Sequence, residues 1–92
     1  MTAETLLHSA ADIIAERGRA YGNAAASMDK VAQRWSLTLD HPVTPAEVVL
    51  CLIDLKLVRL AHDPKHLDSA VDVAGYAAVL REVVNQSQQE GR

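Results

Sequence analysis

The stretch TPAEVVLCLIDLKLVRLAH, from Thr44 to His62, constrains this chain more than any other. It opens with Thr44 placed to cap a helix and Pro45 at the first helical position, where its missing N–H costs nothing. Glu47 follows three residues after the cap, the spacing of a capping box. Behind that start Val48, Val49, Leu50, Cys51, Leu52, Ile53, Leu55, Leu57, Val58, Leu60 and Ala61 leave no broad polar side on a helical wheel. A helix that is apolar nearly all round is buried nearly all round, so the rest of the protein is expected to wrap it. Only Asp54, Lys56 and Arg59 interrupt the run, and charges on so apolar a helix are expected to be paired, at an interface or at a site.

A chain of 92 residues suits one domain, burying ~60–70% of its unfolded surface. Three further helices offer little with which to wrap a fourth, so self-association into a homo-oligomer is expected. With one Trp, two Tyr and no Phe, the core must be aliphatic and rich in alanine. The net charge of −3 excludes general nucleic-acid binding, which needs a basic face, but leaves room for a local basic pocket. The single cysteine, Cys51, has no partner for an intramolecular disulfide and reads as a small core residue. The start, MTAETLLHSAAD, has neither a basic n-region nor a long apolar run, so no signal peptide or membrane anchor is expected and the cytoplasm is the default compartment.

Helical periodicity accounts for the rest of the chain. From about residue 3 to 20, Leu6, Ala10, Ile13, Ile14 and Arg17 share one face, opposite His8, Asp12, Glu16 and Arg19. Gly18 and Gly22 bracket Tyr21 in what reads as a tight turn, with Asn23 as the next cap. From 24 to 39, Met28, Val31, Ala32, Trp35 and Leu39 form a stripe. The central helix, 45–62, stops before Asp63–Pro64. A last helix, about 67–86, carries Val73, Tyr76, Leu80, Val83 and Val84 inward and Ala70, Ala74 and Arg81 outward, before a polar, fraying end at Asn85–Arg92. The expected fold is all-α, a compact four-helix bundle with short connections.

Two sets of charges could carry chemistry. Asp68, Asp72 and Tyr76, at i, i+4 and i+8, stack on one side of the last helix, while Arg17, Lys56 and Arg59 supply cations from within or beside apolar faces of the first and third. In one reading the sets neutralise each other as internal ion pairs that fix helix register. In the other, cations stay free in a pocket for a phosphate-bearing ligand, Tyr21 or Tyr76 offers a ring for a base, and the aspartates orient the cations or hold magnesium. Asp54 points elsewhere, with Glu47 and Cys51, toward a subunit interface or a second acidic patch. His62, Asp63, His66 and Asp68 are split by Pro64 and read as a polar loop, so no metal site is assigned. The serines lack any nucleophile setting, and no glycine-rich phosphate loop is present.

ERGRAYGN at Glu16–Asn23, Trp35, TPAEV at Thr44–Val48, LKLVRLAHDPKHLDS at Leu55–Ser69 and VDVAGYA at Val71–Ala77 together resemble a family of small bacteriophage and prophage proteins, over about Ile14 to Ala78. That family is similar in turn to phage nucleotide-modification-associated and MazG-like all-α proteins. There a YG turn, a K-x-x-R pair and a D-x-x-x-D-x-x-x-Y helix recur. The resemblance implies a phage-encoded protein in the host cytoplasm with a nucleotide as ligand. MazG-like nucleoside triphosphate pyrophosphohydrolases, however, hold magnesium through E-x-x-E and E-x-x-D pairs on facing helices, which this chain lacks in any helix that could serve. Sequestration of a nucleotide by Arg17, Tyr21, Lys56, Arg59, Asp68, Asp72 and Tyr76 is therefore expected over hydrolysis. The rival expectation is a module that inhibits a host protein and whose internal charges are only structural.

Overall fold

Four helices make up the structure, a computed structural model that describes the backbone of residues 1–90 and the side chains of residues 1–86. In chain order they are α1 (Ala3–Tyr21), α2 (Ala24–Leu39), α3 (Pro45–His62) and α4 (Leu67–Glu90). No strand occurs among the described residues, and the protein is an all-α four-helix bundle. None of the described helices is long and apolar enough to cross a membrane.

Each helix start has a local chemical cause. The Thr44 hydroxyl accepts from the Glu47 amide at 3.1 Å and the Glu47 carboxylate accepts from the Thr44 amide at 3.0 Å, closing the capping box that opens α3. That second bond, to a backbone N–H, holds the Glu47 carboxyl below the usual carboxylate range. Its contribution is present above the unfolded-state value and is lost as pH falls through the lowered one. Thr2 and Thr5 form a similar reciprocal pair at α1, and Asn23 Oδ1 accepts from the Ala26 amide at 3.0 Å to open α2. At α4 the cap is a histidine: His66 Nδ1 lies 2.7 Å from Ser69 Oγ and accepts from the Ser69 amide at 3.3 Å.

The stops are equally local. Gly22, at φ 85°, ends α1 in a conformation that favours glycine. Gly18 does not break the chain; it sits inside α1, one turn before the end. Asp40 ends α2 in the left-handed region, at φ 52°. Ser36 then fastens the α2–α3 connection, its hydroxyl accepting from the Val43 amide at 2.8 Å and donating to the Ala32 carbonyl at 2.7 Å. Asp63 terminates α3, and its carboxylate accepts from the Lys65 amide at 3.1 Å across Pro64.

In cross-section the bundle is a diamond. α2 and α4 touch across the middle, while α1 and α3 lie at opposite corners with no contact between them. The core forms where α2, α3 and α4 meet, around Ala25, Val49, Val79 and Val83, with Met28, Ile53, Tyr76 and Leu80 packed against them. Val48 and Val49 are fully buried at the start of α3.

Three expectations about burial are corrected by this arrangement. α3 is not wrapped: Leu50, Leu55, Leu57 and Val58 are exposed on its outer side because α1, at the far corner, never reaches them. Cys51 lies on that same open side and is exposed, not in the core. Leu39, at the end of the α2 stripe, projects past the bundle and is also exposed. Among the described residues of α4 the buried positions are Ser69, Val71, Val79 and Val83, while Val73, Tyr76, Leu80 and Val84, expected inward, and Ala70 and Ala74, expected outward, are all half-buried. Contact with all three other helices leaves α4 no simple inside and outside. Of the polar end Asn85–Arg92, the backbone is helical through Glu90, while Gly91, Arg92 and the side chains from Ser87 lie outside the described residues.

Ser36→Ala leaves the half-buried Val43 amide without its acceptor. It should lower unfolding free energy by about 1–2 kcal/mol in a denaturant melt, with helix content unchanged.

Candidate functional site

The corner of the diamond occupied by α1 is the loosely filled one. α1 buries only Ala10 fully and rests chiefly on α4, with a lighter contact to α2. Between these three helices lies a cavity of about 380 Å³. Its wall is largely apolar, with Ile13 and Ile14 from α1, Met28 from α2 and Val71 and Val79 from α4. The polar exceptions are few: Arg17, Tyr21, Ser27, Asp72 and Tyr76. Concave apolar walls with a small number of placed polar groups are the usual form of a small-molecule site.

The placement of each polar group follows from its helix. Arg17 stands one turn after Ile13 and Ile14 on the cavity side of α1, exposed at the rim. Among the described residues it makes no ion pair. Tyr21, four residues further on, is 79% exposed, a ring at the mouth and not in the interior. Asp72 and Tyr76 share a face of α4 at i, i+4 spacing and are both half-buried.

Asp72 is not free. Lys56, from the inner side of α3, reaches its Oδ2 at 3.0 Å, and the two side chains are only 15% and 19% exposed. The pair therefore straddles α4: the carboxylate borders the cavity and the ammonium comes from the opposite helix. Lys56 itself is not part of the wall. Arg59 and Asp68 also stand outside it, both exposed, Asp68 in the first turn of α4. Arg17, Tyr21, Asp72 and Tyr76 are thus brought to one cavity, Lys56 joins them through Asp72, and Arg59 and Asp68 stay apart. His66, at the loop, is engaged with Ser69. Among the described residues no group of three or more His, Cys, Asp or Glu side chains is gathered as metal ligands would be.

Sequence reasoning missed the glycines of this site. Gly18 and Gly75 line the cavity from within α1 and α4, and a Cβ added at either would meet nothing within 4 Å. Neither has a positive φ. Helical glycine costs about 1 kcal/mol relative to alanine, and at these two positions no packing constraint in the chain itself calls for it. The signal was available in Gly75, a glycine in mid-helix without a turn beside it.

Residues 5–84 match the family described as a domain of unknown function, DUF6378, and the chain belongs to that family. Over 81 residues it is 33% identical to the Gene 55 protein of Mycobacterium phage L5, covering 86% of this chain and 52% of that protein. The chain therefore spans about half the length of this phage relative. No solved structure matches the chain.

A double-mutant cycle on Lys56→Met and Asp72→Leu measures the pair across α4. Each single change should destabilise by about 1–3 kcal/mol, because it leaves a poorly solvated charge alone. The double variant should cost clearly less than the sum.

Proposed function

We propose that the α1–α2–α4 cavity binds a small molecule with a flat apolar ring system and a phosphate group, a nucleotide being the simplest such ligand, and holds it without turnover. The observation that carries this reading is an apolar cavity with a guanidinium at its rim that makes no ion pair among the described residues. Arg17 suits a phosphate because a planar fork of donors can bind two of its oxygens at once. Tyr76 from the wall and Tyr21 from the mouth offer faces for a base. The bare backbone at Gly18 and Gly75 lets a flat ring approach the two helices closely. Lys56 acts at one remove, holding Asp72 in position to accept from a ligand N–H or hydroxyl.

Retention is favoured over cleavage by the carboxylates. Asp72 is committed to Lys56 and Asp68 lies outside the cavity wall. Pyrophosphohydrolysis of the MazG kind needs several carboxylates that together hold metal and activate water. Similarity to a phage protein supports a phage-encoded role, and a nucleotide ligand sets that role in the host cytoplasm.

A thermal-shift screen with nucleoside mono-, di- and triphosphates and cyclic dinucleotides, with and without magnesium, tests the reading. A ligand at a hundredfold excess over its Kd should add ~2.7 kcal/mol, and chromatography should recover it intact. Arg17→Ala should abolish the shift while leaving the unliganded melt nearly unchanged. Gly75→Leu, which fills the cavity, should abolish it as well, whereas Gly75→Ala should raise the unliganded stability by about 0.5–1 kcal/mol. A cleaved ligand would favour a hydrolase, and no shift from any compound would favour a module that binds a host protein.

A further inference from the structure

The outer side of α3 is a surface that the cavity does not explain. Leu50, Leu55, Leu57 and Val58 are 49%, 48%, 48% and 68% exposed, with Cys51 and Ala61 open between them. Single exposed leucines are ordinary on a protein surface, but these share one side of one helix. None of the described helices lies over them, since α2 and α4 both pack on the other side and α1 is at the far corner.

We propose that this face is the interface of a dimer in which α3 packs antiparallel against α3 of a second copy. An 18-residue helix is about 27 Å long and, with its side chains, about 10 Å across. That strip alone is about 270 Å² on each copy, so a specific interface, which begins at about 1,000 Å² in total, also takes in the flanks of the two bundles beside α3. A twofold axis lets one patch serve both partners.

The charges select the second copy and its direction. Glu47 and Asp54 are exposed along the first two-thirds of α3, and Arg59 and His62 are exposed at its end. Parallel pairing would set Glu47 against Glu47 and Arg59 against Arg59, whereas Asp54, at the middle of α3, meets its own copy in either direction. Antiparallel pairing sets the acidic beginning of each helix near the basic end of the other and opposes the two helix dipoles. The acidic start and the basic end of the face are complementary to each other. Cys51 and Asp54, exposed on a helix otherwise suited to a core, are then interface residues.

Sedimentation of the whole chain from micromolar to submillimolar concentration provides the test. The wild type should sediment as two chains. Val58→Glu should sediment as one chain with unchanged circular dichroism, because Val58 is exposed in the single bundle and its replacement disturbs no core contact. Leu37→Glu, at a leucine on α2 that is 72% exposed, should leave the dimer intact. Arg59→Glu should weaken an antiparallel pair roughly tenfold, whereas a parallel pair, in which position 59 meets itself, would be unaffected. A wild type that stays a single chain throughout overturns the proposal and leaves the face to a different protein. A dimer that survives Val58→Glu overturns the assignment to α3, and one indifferent to Arg59→Glu overturns its direction.

Discussion

The contact between Lys56 and Asp72 ties the two halves of this protein together. It joins α3 to α4 at the bundle's most extensive helix–helix contact, and it does so with charges that are largely withdrawn from water. Such a pair adds little net stability, since desolvation offsets most of the attraction, but it penalises any register that separates its members. Asp72 stands with one side toward α3 and the other toward the cavity. The register of the hydrophobic core and the shape of the candidate site are therefore fixed by the same carboxylate.

Around that pair the fold divides its labour by position in the diamond. The corner near α3 is dense, with Val48 and Val49 fully buried and the core built of small aliphatic side chains that let helices approach closely. The corner near α1 is open enough to hold a cavity, because α1 makes no contact with α3 and is held mainly by α4. A chain with so few aromatic residues can fill one of these corners well but has little bulk left for the other. Cavity and dense core are thus two results of one composition.

Features written in local chemistry were legible in the sequence. Thr44, Pro45 and Glu47 announce the start of α3 because a capping box involves only residues three apart, and Asn23 announces α2 for the same reason. Features that depend on what the rest of the chain can cover were not. The wheel of α3 records what its residues would bury, yet whether Leu57 and Val58 are covered depends on where α1 goes, and no periodicity encodes that. α4 is hard to read for a related reason, since a helix touched from three sides has no single stripe, and Val71 and Val79 lie outside the stripe that its periodicity suggests. At the site, the sequence brought Lys56, Arg17 and Asp72 into one argument, but which cation takes the carboxylate is decided by helix placement. Gly18 read as punctuation because its helix continues past it for only three residues.

The light seating of α1 has a consequence for how such a protein can diverge. Regions of a fold open independently in proportion to how little they bury, and α1 buries a single alanine fully. Substitutions at Ile13, Ile14 or Arg17 reshape one wall of the cavity without touching Val49 or Val83, on which folding depends. Selection can thus retune what enters the cavity on a scaffold whose folding is barely affected, and an exchangeable first helix on a constant three-helix remainder is the pattern such retuning would leave in related chains.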